Sequence, residues 1–406
     1  MNKTKAESLG AVHTHTHTHT LHLKNKERGI TLIALVITII VLIILAGVSM
    51  AMLTGTNGIL TQANNAKEMT QSSNAEEIMK IVIAEIRAEN SELSVKKIKS
   101  TLSKYNGSVE KDSNGNFPIC CKINDMKFIV ASDGKITKLG EILDISTENE
   151  VVNSKINFSW DELKQIANTI SFDDKITAST SSVTIKLNNK TEKVAIGNYA
   201  IVKYKDIDKK VRIIGFNQDI KKDGGTAGIT FDFETLLDKS SMNKENTNNG
   251  GWGQSKLREQ MNNYLSEIQL DESIRLTDIV EEVKKDYIAI YNKADSVVTD
   301  NYDKLWLLAA SEIFEVNSDG TYAFAKTSEG KQYKYYYVAT QNMDFNTQNT
   351  QIIKHTSNEN NAGWWWLRSP GIHDNNIFLC IFTNGVGNIN HFAIDSTGGI
   401  APGFCI

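Results

Sequence analysis

Cysteine is scarce in this chain. There are four in 406 residues: the neighbours Cys120 and Cys121, then Cys380 and Cys405. Adjacent cysteines rarely bridge each other, and so few thiols exclude a disulfide scaffold. A Cys380–Cys405 bridge stays open, with buried free thiols as the default. Histidine is almost as rare after residue 29, where only His355, His373 and His391 occur. Gly-x-Ser-x-Gly, His-Glu-x-x-His and the phosphate loop are all missing. No enzyme activity, cofactor or metal site is therefore expected. A basic stripe is missing too: the net charge is −4, which argues against a nucleic-acid partner.

One long run has no charge at all. Ile30 to Val48 is apolar apart from Thr31 and Thr38 and contains no proline. As a helix at ~1.5 Å per residue it would extend roughly 28 Å, close to the ~30 Å hydrocarbon core of a bilayer. The basic patch Lys24-Asn25-Lys26-Glu27-Arg28 precedes it and ends at Gly29. The positive-inside tendency would hold that patch in the cytoplasm and send the rest outward. The expectation is a single-pass helix over 30–48, a cell-membrane location and an external C-terminal region. A plain anchor and a cleaved secretory signal are the competing readings.

The basic leader, the glycine and the apolar helix resemble type IV prepilins and pseudopilins. The resemblance implies cleavage by a prepilin peptidase between Gly29 and Ile30, N-methylation of Ile30, and contact with other pilin-like subunits. That family places glutamate five residues into the mature chain; here the position is Ala34. The departure removes an assembly contact and favours a minor or non-filamentous protein. Losing residues 1–29 leaves 39 basic and 46 acidic residues, a net charge of −7. Residues 13–22 alternate histidine and threonine, a pattern able to hold soft divalent metals. They precede the cleavage site and have the form of a translated dinucleotide repeat, so no metal role is assigned.

Beyond the run, Gly55-Thr56-Asn57-Gly58 disfavours helix. An amphipathic helix is predicted over 49–90 after that break, from Ile59, Ala63, Ala66, Met69, Ile78, Met79, Val82, Ile83 and Ile86 at three- and four-residue spacing. A small head over 91–140 follows, with a short helix from Val95 to Tyr105 and strands at 117–123 and 127–130 joined at Asn124-Asp125. Asp112 to Asn116 starts like a calcium loop, but Phe117 and Ile123 occupy the positions that need glycine and an acid. It reads as a polar turn. Residues 141–175 are assigned to a linker plus a short helix capped at Ser159. From Val183 onward the pattern is mostly short strands, with one helix at Ser255–Leu265.

Several phrases in the last part resemble an uncharacterised bacterial surface domain of unknown function. They are Val211 to Asn217, Gly228 to Phe231, GGWGQSKLR from Gly250, DKLWLLAASEIF from Asp303, WWWLRSPG from Trp364 and GGIAPGFCI from Gly398. The resemblance covers 176–406 and implies a C-type-lectin-like fold. Lectin-like folds include formylglycine-generating enzymes, which use two cysteines close together; Cys380 and Cys405 do not match that local pair.

Read directly, Trp364-Trp365-Trp366 forms a strand with the middle tryptophan facing away from the other two. Two of the three are expected in the core, leaving a third able to stack on a sugar. Arg368 is expected to make a buried fork of hydrogen bonds. Strands are predicted at 377–382 and 386–394 around the turn signal Asn384-Gly385. Ligand-binding candidates are His373, Asp374, Asn375, Asn376, Phe378, Phe382, Asn388, Asn390, His391, Phe392 and Asp395. They combine adaptable hydrogen bonding with flat apolar contact.

Together these readings predict an α+β protein: a long N-terminal transmembrane and stalk helix, a small β head, and a mainly β lectin-like domain. The expected role is a pilin-like, membrane-anchored surface protein displaying an adhesin-like domain for an external glycan or protein. A minor pseudopilin of a secretion or DNA-uptake machine is the alternative.

Overall fold

A computed structural model describes residues 32–54, 58–89, 92–113, 115–289, 296–315, 329–341, 343, 345, 347–357, 361–371, 374–388 and 396–406. Gly29, Ile30, His373, Asn390, His391, Phe392 and Asp395 lie outside them. The chain divides into two compact units, Met1–Lys67 and Glu68–Ile406.

In the first unit, α1 (Leu32–Thr54) is helical because it contains no proline and its only glycine is Gly47. Its side chains are described from Leu35 to Met50 and all are exposed. Among the described residues no helix is long and apolar enough to cross a membrane. This corrects the predicted transmembrane helix over 30–48, the single-pass membrane location and the pilin-like character read from it.

The second unit holds two large cores and a small third cluster of Cys120, Ile129 and Leu139. α2 (Ile59–Ala88) belongs to it from Glu68 onward and buries Ala75, Met79, Val82, Ile83 and Ile86 along one face. Their three- and four-residue spacing puts them on one stripe, as the periodicity predicted. They pack on α3 (Val95–Ser103), through Ile98 and Leu102, and on a four-stranded sheet. That sheet runs in order β1 (Ser108–Ser113), β2 (Asn116–Ile123), β3 (Met126–Val130) and β4 (Ile136–Lys138). Asn124 and Asp125 both take positive φ, 48° and 66°, which matches the twist of a two-residue hairpin loop.

The polar stretch expected to be a linker instead opens with a strand, β5 (Glu141–Ser146). It pairs with β6 (Ser182–Leu187), which pairs with β7 (Lys190–Ala195). A register shift between Ile142 and Asp144 leaves Leu143 exposed and breaks the two-residue alternation by which a strand is recognised. α4 (Trp160–Phe172) begins in a full capping box. The Ser159 N–H donates to Glu162 Oε2 at 2.8 Å, and the Glu162 N–H donates to Ser159 Oγ at 3.3 Å.

The larger core surrounds an antiparallel six-stranded sheet. Its order is Ile268–Gln269, β8 (Tyr199–Tyr204), β9 (Ile207–Phe216), β10 (Ile229–Phe233), Pro402–Cys405 and Trp306–Leu307. Every residue of β10 is buried, and Phe231 stacks on Phe404 with ring centroids 5.3 Å apart. α4 lies so close to the start of β10 that a Cβ at Gly228 would sit 1.9 Å from the Ala167 carbonyl oxygen. A second, five-stranded sheet runs Asp238–Ser240, Gly398–Ile400, Trp365–Pro370, Phe378–Ile381 and Gly387–Asn388. The turn predicted at Asn384-Gly385 joins the last two, with the Gly385 N–H donating to the Phe382 carbonyl at 2.9 Å. Over the described residues helix and strand are nearly equal, 31% and 32%. Beyond α4 strands outnumber helices, with short helices at Leu276–Ile279, Ala310–Ile313 and Lys334–Ala339 set among them.

Candidate functional site

The described candidates from 374 to 388 fall in different environments. Asp374 and Asn375 are exposed and Asn376 is half-buried. Buried Asn248 holds their loop: its Nδ2 donates to the carbonyls of Asp374 and Ile377 at 2.8 Å, and its N–H donates to that of Asn375 at 2.6 Å. Phe378 is 1% exposed. It is a core residue, because the strand Phe378–Ile381 is buried on both faces. Phe382 is half-buried against the core. Asn388 lies on the strand Gly387–Asn388.

Trp365 and Trp366 are fully buried on opposite faces. Trp364 is half-buried and meets Trp366 edge to face, centroids 4.8 Å apart. Gly398 allows this, since a Cβ there would lie 2.3 Å from the Trp364 ring. All four cysteines are free and buried. Burial pushes the Cys121 and Cys380 thiols up to about 12.

A cleft of about 440 Å³ opens elsewhere on this unit, lined by Gly253, Arg258, Met261, Asn262, Tyr302 and Asp303 among others. Two local structures build it. Ser255 caps α5 (Lys256–Glu267), its Oγ accepting from the Arg258 N–H at 3.1 Å, and this sets Arg258, Met261 and Asn262 on one face. Opposite, Tyr302–Asp303 pairs antiparallel with Val283–Lys284.

Asp303 is the floor. Its Oδ1 accepts from Arg258 Nε at 2.8 Å, and its Oδ2 accepts from Trp252 Nε1 and Asn301 Nδ2, both at 2.9 Å. Arg258 also donates to the Gly253 and Tyr302 carbonyls. Glu282 on the wall pairs with Lys222 at 2.9 Å. Glu259, Asn262 and Lys304 are exposed around the half-buried Tyr302.

Two networks of buried charge lie beneath the surface. In the first, Asp232 is fully buried and meets Arg212 Nε at 3.0 Å, Lys354 and the Tyr336 hydroxyl. Burial outweighs Asp232 at Lys354 and brings its pKa down to about 8. In the second, Arg368 spends every donor. Nε donates to the Asp286 carbonyl at 3.0 Å. Nη1 donates to the Leu307 carbonyl at 2.9 Å and to Glu312 Oε2 at 2.5 Å. Nη2 donates to Glu312 Oε1 at 3.1 Å and to the Glu329 carbonyl at 2.6 Å. Glu312 also meets Lys285, which binds Asp219. Burial raises the Glu329 carboxyl.

Residues 229–406 match the family model of a domain of unknown function (DUF6273). No curated protein and no solved structure matches the chain. The matched region contains Arg258, Tyr302, Asp303 and Arg368. It starts at the first residue of β10, so β8 and β9 of the same sheet, with Arg212, precede it.

Sequence reasoning quoted Arg258 and Asp303 inside larger phrases without assigning them to a site. The available signal was Arg258 and Asn262 four apart on a capped helix, which places both on one face. Their meeting with Tyr302 comes from pairing between distant segments and leaves no local pattern.

Proposed function

We propose that the C-terminal part of this chain is a non-catalytic binding module and that the cleft around Tyr302 and Asp303 receives a polar, uncharged ligand such as a glycan. The observation carrying this reading is the state of Asp303. Both of its oxygens are already committed, to Arg258 on one side and to Trp252 and Asn301 on the other. Three donors take three of the carboxylate's roughly four lone-pair sites and its side chain is only 8% exposed, so little of it is left to exchange a proton with a substrate. A carboxylate held on three sides instead makes a rigid floor, and rigid floors reduce the ordering cost of binding.

The rim supports the same class of ligand. Asn262 offers both a donor and an acceptor, Glu259 and Lys304 carry opposite charges, and the Tyr302 ring gives a flat apolar face. Sugars present alternating hydroxyls and apolar ring faces and are met by such mixtures. The resemblance of the tryptophan-rich ending, on sequence alone, to a lectin-like surface domain supports the same class.

The test is a glycan array probed with the full chain, followed by titration of Tyr302→Ala and Asn262→Ala against any hit. Loss of binding in both variants, with unchanged unfolding midpoints, supports the reading. Binding that survives both variants but fails in Asn248→Ala moves the site to the Asp374–Asn376 loop and overturns it.

A further inference from the structure

Lys285 carries an amine into the interior of the larger core. It follows the strand Val283–Lys284, and its side chain is only 2% exposed. Nζ lies 2.5 Å from Asp219 Oδ1 and 3.2 Å from Glu312 Oε1, and those two side chains are 6% and 3% exposed. The Trp306 ring centroid is 4.0 Å from Nζ and that of Tyr333 is 5.3 Å away. One amine, two carboxyl groups and two aromatic walls therefore share a site closed to water.

Asp219 is held as an electrophile would be. Its Oδ2 accepts from Thr230 Oγ1 at 2.6 Å and from Cys405 Sγ at 3.3 Å, and the Tyr333 hydroxyl donates to Oδ1 at 2.9 Å. Donors around both oxygens stabilise negative charge that would develop on them, as in an oxyanion hole. The reacting groups are in contact with no motion required, which removes most of the entropic barrier to their joining.

We propose that Lys285 and Asp219 condense spontaneously to an intramolecular amide, with the Tyr333 hydroxyl relaying the proton. The ammonium first returns one proton to the carboxylate across the hydrogen bond they share. The neutral Nζ then attacks Cγ of Asp219, forming the C–N bond. The Tyr333 hydroxyl, 2.6 Å from Nζ and 2.9 Å and 3.1 Å from the two Asp219 oxygens, accepts a proton from that nitrogen and passes its own to a Cγ hydroxyl, which departs as water when the C–O bond breaks. Ammonium plus carboxylate becomes amide plus water, with no oxidant and no co-reactant.

Burial disfavours the charge on each partner, yet their mutual attraction keeps Lys285 above and Asp219 below its ordinary pKa. The starting state is thus an ion pair, which must first be neutralised by proton transfer across the Lys285–Asp219 hydrogen bond. The same exclusion protects the amide once formed. The bond would lock the turn after β9 to the segment that follows Val283–Lys284.

Intact mass spectrometry of the full chain decides the matter, because the cross-linked protein weighs one water less than its sequence. Peptide mapping must then show a branched peptide joining Asp219 to Lys285, which separates an amide from a cyclised aspartate. Lys285→Arg and Tyr333→Phe should both keep the full mass. Asp219→Asn should lose one ammonia and reach the same final mass as the wild type. A wild-type chain at full sequence mass overturns the proposal without any variant needing to fold. Water loss mapped to another pair, or retained in Tyr333→Phe, also overturns it.

Discussion

Replacing Arg368 by lysine keeps the charge and removes the fork. In the native fold the guanidinium satisfies the Asp286, Leu307 and Glu329 carbonyls and both oxygens of Glu312, all within a fully buried site. Those acceptors come from four separate segments. Lysine has three donors radiating from one atom, so at least two of the five bonds are lost; Glu312 keeps Lys285 and the Ala309 N–H, so the loss tells at the three carbonyls. A buried acceptor left unsatisfied costs about 1–3 kcal/mol, so the loss should reach about 2–6 kcal/mol. Arg368→Met should cost at least as much, because it also leaves Glu312 without its bidentate partner. Urea unfolding of the full chain, followed by tryptophan fluorescence, reads this directly. A midpoint shift for Arg368→Lys equivalent to less than about 1 kcal/mol would refute the claim that the fork ties these segments together.

Trp365→Ala should destabilise by about 3–5 kcal/mol and Trp364→Ala by clearly less, since only the first is fully buried; equal thermal shifts would contradict this. Gly228→Ala should lower the melting temperature, because α4 must retreat from a Cβ built 1.9 Å from the Ala167 oxygen, at about 1–3 kcal/mol; an unchanged midpoint would show that α4 adjusts freely. Alkali should destabilise the fold. Thiols unfold to an ordinary pKa of about 8.5, whereas Cys121 and Cys380 are held at about 12 and Cys120 and Cys405 are also raised. A raised folded value gives stability that is complete below the unfolded pKa and lost as pH climbs through the folded one. Lys354, lowered to about 8, works oppositely between there and its ordinary value of 10.5. Lys138, Lys164, Lys209 and Lys334 are lowered too and act in the same sense as Lys354, but only Lys354 is brought as far as about 8; the four thiols, ionising first in the unfolded chain, should make urea midpoints fall between pH 8 and 9.5, and a rise would reverse the argument.

Local signals in the chain carried the elements well. Ser159 with Glu162 forms the cap it spells out, Ser255 starts α5, and Asn124-Asp125 and Asn384-Gly385 turn as their residue types demand. β5 was missed because a register shift at Leu143 hides its alternation. Phe378 was placed on a binding surface because its neighbours in sequence are polar, although its strand is buried on both faces. The apolar run illustrates a different failure: hydropathy suggested a span, and the described helices provide none.

What the sequence determined by itself is what neighbouring residues decide between them: caps, turns, the amphipathic stripe of α2, and the scarcity of thiols and histidines. These depend on contacts within a few positions, where spacing alone sets geometry. The tertiary structure decided the rest. It placed Arg258 against Asp303 and Lys285 against Asp219, pairs separated by 45 and 66 residues. No local propensity links such partners. Only burial of the shared core brings them together, and only the exclusion of water makes their charges and donors count.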